Sequence, residues 1–456
     1  MAMATSMEES KEGSAPAAQP SGGFQKYLKN TSWLFVDRVV RLASVLITSI
    51  FITRYLGPEL FGQLNYASAF VGIFFALTAM GLDDILVRDL VRRPDRRDQL
   101  LGTAAVIKLG GATILFITVM ALALTKDLET IKVLMILLIA SAEFLKPFAV
   151  VEQYLLSKVQ ARITAKVNIV QTLLASLFRL GLVLAHASLI WFAWAYIIEM
   201  AIGVIGFLVA YRKLGLSWRQ WNYDGLTARY LLKQSWPLVI FGLALYVQAK
   251  IDQVMIGDIL KNTLGEALAD AEVGQYSAAL KMIEAMGFLP SIIVASLAPA
   301  ITGARAKDRG LYEERLINQY RLMFLLFLLV SVPLYFLAEP AMVLLFGEEF
   351  RKAGHLLSLF AIRLFFTNMG VAKGSFITNE SLFKYSLVTA VVGAVLNISM
   401  NYMLIPTYQS TGAIWAMIGS FFVSIFLMDL FFKEARPNFG WMMKGIMTFW
   451  KIRNVR

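Results

Sequence analysis

"LGPELFGQLNYASA" (56–69) and "AEVGQYSAAL" (271–280) say nearly the same thing about half a chain length apart. Each runs Gly-Gln, then an aromatic followed by small residues, and each lies between two long apolar stretches. The recurrence extends outward. "NTSW" at 30–33 opens one apolar stretch and "KQSW" at 233–236 opens another, with Ser32 and Ser235 203 residues apart. Gly62-Gln63 and Gly274-Gln275 are 212 apart. "RRPDRRDQLL" at 92–101 and "ARAKDRGLYEERL" at 304–316 keep Asp95-Arg96 and Asp308-Arg309 at nearly that offset. Residues 30–211 and 230–432 therefore read as two copies of one unit. The difference between the two offsets puts about nine extra residues in the first outer loop of the second copy.

Composition says what the unit is made of. The chain has 456 residues, 58% hydrophobic and 16% charged, with a mean hydropathy of +0.64. Soluble domains are about half apolar and about a quarter charged. The apolar residues here come in blocks of bilayer-spanning length. They do not alternate with period two, so they read as helices, which satisfy their own backbone groups in hydrocarbon. Twelve spans are expected, near 33–53, 63–87, 101–124, 131–155, 166–186, 188–210, 235–258, 273–301, 317–337, 354–378, 384–405 and 411–432. The expected fold is an all-α polytopic membrane protein with two six-helix bundles. Six is even, so both copies start on the same face. They are parallel repeats about an axis along the membrane normal, an arrangement that encloses a path. The alternative is a duplication kept only for packing.

Lys and Arg set the orientation. The segments after spans two, six and eight are rich in them, as is the end of the chain, whereas "TKDLET" is balanced, "DILKNTLGEALADAE" acidic and "PTYQST" uncharged. Both termini are expected in the cytoplasm. Residues 1–29 are expected to be a disordered cytoplasmic segment without the apolar core of a signal peptide. Residues 212–229 are expected as a cytoplasmic linker and 433–456 as a basic tail. The same bias accounts for the net charge of +12 without a nucleic-acid partner. There is no Cys, and His186 and His355 stand far apart, so neither a thiolate site nor a metal cluster is expected.

Charges inside the spans carry the functional reading, because they are costly in a membrane and usually face a cavity or each other. The candidate cations are Arg38, Arg41, Lys146, Arg179, Lys250, Lys281, Arg363 and Lys373. The candidate pairing or coupling acids are Asp37, Glu143, Glu199, Asp252 and Glu284. Glu143–Lys146 and Lys281–Glu284 are each spaced for one helical face and read as internal pairs. Arg38, Lys108 and Lys373 lie toward a cytoplasmic end, where snorkelling is the alternative. Asp83, Asp84 and Arg88 read as a solvated helix end. Glu199 has no basic residue within a turn and reads as the best proton site. Near mid-depth the cations outnumber the acids. A surplus of buried cations needs an anion, and Arg grips phosphate through two parallel hydrogen bonds. An anionic cargo follows, a phosphate or pyrophosphate. Amides such as Asn168 and Gln171, with Tyr246, Trp191 and Trp194, form a weaker sugar-binding signal.

The stretch 30–104, with Ser32-Trp33, "RYLGPELFGQLNYA", "GLDD" and "VRDLVRRPDRRDQLLGTA", resembles Wzx-type oligosaccharide flippases. These belong to the polysaccharide-transporter branch of the multidrug/oligosaccharidyl-lipid/polysaccharide exporter superfamily. The resemblance is dense over about 30–110 and collinear to about 435. It implies a V-shaped cavity between the bundles and a substrate of undecaprenyl-pyrophosphate-linked oligosaccharide. It implies movement of that lipid to the outer leaflet of a bacterial inner membrane, for O-antigen or a similar polymer. It further implies coupling to H⁺ or Na⁺, no other cofactor and no enzymatic activity. The partners would be the lipid-linked oligosaccharide, the bilayer, and the polymerase and other polysaccharide-assembly proteins, with a monomer sufficient for the path. The rival readings are a cation-coupled multidrug exporter of the sister branch, a sugar-transferring membrane enzyme and a structural subunit. The exporter would want central acids and few cations. The enzyme would want paired acids on a long loop.

Overall fold

The fold is that of a computed structural model in which residues 21–452 are described. The expected disorder of residues 1–29 falls outside the described residues as far as residue 20. Residues 21–29 are helical, because the first span's hydrogen-bonding continues backward from its apolar core. Among the described residues nine helices are long and apolar enough to cross a membrane, and a bent pair, Phe35–Gly72 with Phe75–Arg92, makes a tenth. Two of these ten are double. The helix Ser21–Gly72 is interrupted at Gly57 and the helix Phe383–Phe421 at Gln409. Arg41, before Gly57, and Phe75, after it, line one cavity, so the chain doubles back there.

The twelve resulting spans are α1 (21–56), α2 (58–92), α3 (Pro94–Thr125), α4 (Thr130–Ser157), α5 (Ala161–Leu184) and α6 (Leu189–Lys213). The second half holds α7 (Gly225–Leu264), α8 (Glu266–Lys307), α9 (Arg309–Phe346), α10 (Glu348–Asn379), α11 (383–408) and α12 (410–431). Three of the corners are a single glycine: Gly57 (φ 67°, ψ 176°), Gly265 (φ 85°, ψ 164°) and Gly347 (φ 100°, ψ 170°). That region of backbone space is nearly closed to residues with a Cβ. The nine extra residues of the second copy therefore do not form a longer loop. They lengthen α7 and α8 by about a turn each, on either side of Gly265.

The recurring Gly-Gln pair stands where the two halves cross. A Cβ on Gly62 would sit 1.7 Å from the Asp270 carbonyl oxygen, and one on Gly274 would sit 1.9 Å from that of Pro58. Small residues let membrane helices approach to backbone contact, and here the contact is between equivalent helices, α2 and α8. The glutamines brace the fourth helix of each half. Gln275 donates to the Glu349 carbonyl at 2.7 Å and accepts from the Ala353 N–H at 2.8 Å, satisfying an otherwise unpaired donor in the first turn of α10. Gln63 donates to Glu129 at 3.4 Å, beside α4.

One buried cluster runs through both halves at this corner end, joining Phe61, Tyr66 and Phe70 to Ile256, Tyr276 and Phe360. At the opposite end the halves have separate cores, around Leu86 and Tyr211 in the first and around Tyr312 and Phe376 in the second. The bundles are thus fastened at the corner end and splayed at the other. Ala228 and Leu231 of α7 pack into the first half's core. The linker before them is docked, with Asn222 N–H on the Asp98 carbonyl and Asp224 N–H on Thr103. Asp224 caps α7, and hydrogen bonds from Thr227 hold its carboxyl below the usual range.

The residues after α12 are more than a basic tail. They fold into α13 (Arg436–Met447), which buries Asn438, Met442 and Gly445 against the bundle. A Cβ on Gly445 would meet Tyr320 of α9 at 2.6 Å, which shows how closely α13 lies. Residues 453–456 of that tail fall outside the described residues.

Candidate functional site

Three sets of charged side chains occupy the interior. The first closes the corner end, and every pair in it except one joins the two halves. Lys132 of α4 bonds Glu266 at 2.9 Å and Asp270 at 2.7 Å on α8, with 5% of its side chain exposed. Lys126, just past the end of α3, pairs with Asp258 of α7, which also accepts from the Tyr66 hydroxyl at 2.6 Å. Lys261 lies 3.7 Å from Asp127 across the halves and 3.6 Å from Glu266 in its own. None of these residues stood out in the sequence. Their signal was only the balanced "TKDLET" and acidic "DILKNTLGEALADAE", two segments that tertiary structure brings together.

The second set lies in the first half, around a cavity of about 320 Å³. Asp37 accepts from Arg41 at 2.9 Å and Glu143 from Lys146 at 2.8 Å. Lys108 is not a snorkelling residue. It is buried and bonds Asp83 at 2.5 Å, so Asp83 is not merely a solvated helix end. The Gln153 amide also donates to Asp83, at 3.1 Å. Glu152, which sequence reasoning passed over, faces this cavity and accepts from Asn168 at 3.4 Å. A Pro147-containing 3₁₀ segment, Glu143–Ala149, interrupts α4 and places Lys146 4.1 Å from the Phe75 ring centre.

The third set lies at the centre and in the second half. A cavity of about 280 Å³ between the halves is lined by Thr48, Phe61, Arg179, Tyr196, Glu199 and Lys281, among others. Glu199 does not stand alone as the sequence suggested. Arg179 of the neighbouring helix bonds it at 2.5 Å, a pairing that spacing along one helix cannot reveal. Glu284 lies 3.9 Å from Lys250 instead of pairing with Lys281. Lys281 has no carboxylate partner among the described residues and lies 4.4 Å from the Phe61 ring centre. Arg363, midway along α10, lines a separate apolar cavity of about 370 Å³. Its Nε and Nη1 atoms are buried and have no hydrogen-bond partner among the described residues. Asp252 is fully buried and accepts from Tyr276 and Asn401, each at 2.6 Å.

Two expected site residues differ from expectation: Arg38 lies on the outside, and Lys373 is in the wall that Arg363 lines but with its charge already paired. Arg38 is exposed on the outside of α1 relative to Asp37, which is buried. Lys373 is enclosed by Asp429 at 2.6 Å, the Tyr385 hydroxyl at 2.7 Å and the Ile425 carbonyl at 2.6 Å, so its donors are taken up inside the bundle. Asn438 of α13 donates to the same Asp429 at 2.9 Å and accepts from Tyr320 at 2.6 Å. This network fastens α13 beneath the second half. Lys373→Met leaves Asp429 buried without its cation, a change that costs about 3–5 kcal/mol. The expected result is a matching fall in unfolding free energy in detergent, with most of it regained in Lys373→Met/Asp429→Leu.

The surplus of cations inferred from sequence is therefore localised. Arg41, Lys146 and Arg179 each have a carboxylate of their own. Lys281 and Arg363 have none among the described residues. Lys250 and Arg179, and the carboxylate of Glu284, lie near enough to Lys281 to act on its charge.

Two fastened bundles enclosing charged cavities define a multi-pass membrane protein with a transporter's fold. The solved structures it resembles have that architecture. An inward-facing multidrug resistance MATE family transporter of the MOP superfamily matches with a TM-score of 0.65 at 16% identity, over 91% of this chain and 99% of that one. A eukaryotic MATE transporter matches at 0.58 and 13%, over 94% and 100%. The lipid II flippase MurJ in an inward closed conformation matches at 0.57 and 12%, over 93% and 91%. No curated protein matched the sequence. Residues 27–304 match the family described as polysaccharide biosynthesis protein, and the chain belongs to that family.

Proposed function

We propose that this protein is a flippase for undecaprenyl-pyrophosphate-linked oligosaccharide. It carries the lipid from the cytoplasmic to the outer leaflet of a bacterial inner membrane, for O-antigen or a similar surface polymer. The observation that carries the reading is the pair of membrane-embedded cations, Lys281 and Arg363, that face cavities with no carboxylate paired to either among the described residues, Glu199 in the wall beside Lys281 being taken by Arg179. An unpaired buried charge is destabilising, and the stabilising partner it lacks is an anion. Membership of a polysaccharide biosynthesis family supports a glycan-bearing anion, and the MurJ-like fold suits one attached to lipid. On this reading the splayed end is cytoplasmic, as are both termini, and the corner end is outer. The pyrophosphate enters between the bundles and exchanges its hydration for Lys281, Arg363 and their neighbours, while the prenyl chain stays in lipid. The corner pairs then part and the splayed ends close. Protonation or Na⁺ binding at an acid such as Asp252 biases the return. The same unpaired cations disfavour the drug-exporter alternative, because they repel an organic cation.

The test is flipping in proteoliposomes of a fluorescent undecaprenyl-pyrophosphate oligosaccharide under an imposed H⁺ or Na⁺ gradient. Gradient-sensitive appearance of the head group on the far leaflet is expected. Movement of an organic cation without movement of the lipid would replace this reading with the exporter.

A further inference from the structure

The two halves are copies, yet their interior cavities have opposite hydrogen-bonding character. Among the described residues lining the second-half cavity the unsatisfied atoms are donors, Arg363 Nε and Nη1 and Gln248 Nε2, in an otherwise mainly apolar wall. In the first half they include Gln153 Oε1, an acceptor, and the Thr78 hydroxyl, on side chains 8% and 0% exposed. One register position shows the contrast. Lys132 and Lys352 each stand in the first turns of the fourth helix of their half and pair with α8. Eleven residues beyond them are Glu143 and Arg363, a carboxylate in one copy and a guanidinium in the other.

We infer that the first-half cavity is the glycan subsite and takes a neutral, hydroxyl-bearing sugar ring, an assignment that rests on the flippase reading. Its cations are already matched, with Lys108 on Asp83, Arg41 on Asp37 and Lys146 on Glu143, so it has little to offer a phosphate. It also suits a metal cation poorly. Three cationic side chains line it, and no group of three or more His, Asp or Glu able to hold a metal occurs among the described residues. What remains is Glu152 beside Asn168, the Gln153 carbonyl and the Thr78 hydroxyl, which can accept from sugar hydroxyls. Tyr246, set edge-to-face on Phe75 at 5.9 Å, gives a wall for the C–H face of a ring. The volume of about 320 Å³ leaves room for a sugar ring with its hydroxyls and falls in the range of small-ligand pockets. The substrate would then lie with its glycan in the first half and its pyrophosphate toward Lys281 and Arg363.

Binding of short-chain probes to the purified full-length protein tests this. The probes are farnesyl pyrophosphate and its glucosyl, galactosyl and N-acetylglucosaminyl pyrophosphate counterparts, with Kd measured for each. At least one sugar-bearing probe is expected to bind about tenfold or more tightly than the bare one, from one or two added hydrogen bonds. Gln153→Ala/Asn168→Ala should bring that probe down to the level of the bare one. Binding of farnesyl pyrophosphate by the same variant shows that it is folded. Lys281→Gln should weaken all four. The inference is overturned if no sugar improves binding to the parent, or if the variant keeps the preference. Failure of the parent to bind even farnesyl pyrophosphate would remove the flippase reading as well.

Discussion

Gly62→Ala is expected to prevent the corner end from closing and to abolish transport. The added methyl would stand 1.7 Å from the Asp270 carbonyl oxygen, inside any van der Waals contact, and the obstacle is backbone that cannot rotate away. Overpacking of this kind costs about 1–3 kcal/mol even where side chains can yield. Here it also pries apart Lys132 from Asp270, a buried pair whose separation carries a penalty of about 3–5 kcal/mol. A wedge of that size exceeds the roughly 1.4 kcal/mol needed for each tenfold shift between two states. Because the chain has no cysteine, one introduced thiol reports the state cleanly. Val45→Cys, on the wall of the central cavity, should be shielded from an impermeant thiol reagent added on the outer side of parental protein. In the Gly62→Ala background it should be labelled. Labelling unchanged by the substitution would mean that α2 and α8 do not form the gate.

Lys281→Gln/Arg363→Gln should reduce the flipping rate by about a hundredfold or more while raising, or leaving unchanged, the thermal stability. The two effects have one cause. A cation buried without a partner destabilises the empty protein and is stabilised by an anionic substrate, so its removal helps the fold and harms binding. Charge-assisted bonds to phosphate contribute about 1.5–3 kcal/mol each, and two of them give the stated loss. Arg41→Gln makes the informative comparison. Arg41 is paired with Asp37, so its loss should destabilise the first half as well as impair transport. A double variant that flips at the parental rate would show that the two cations are structural.

How much of this was legible in the sequence depends on the range of the physics. Span number, helix type and the duplication follow from blocks of apolar residues and their spacing. Bilayer thickness and backbone hydrogen bonding fix these locally, whatever packs against the span. The presence of charge inside the spans was legible for the same reason. Which charges were free was not. Glu199 has no cation within a turn of its own helix, yet Arg179 reaches it from α5. Lys373 looks like a snorkelling cation, yet it is enclosed by residues of α11 and α12. Spacing along one helix reports only i, i+3 and i+4 neighbours. A pair between helices depends on rotation and tilt, and those are set by side-chain packing along the whole interface. The Gly-Gln repeat shows both sides of this. Its recurrence was plain in the amino-acid order alone. That Gly62 and Gly274 meet each other across the two halves was decided only when the two copies were packed together.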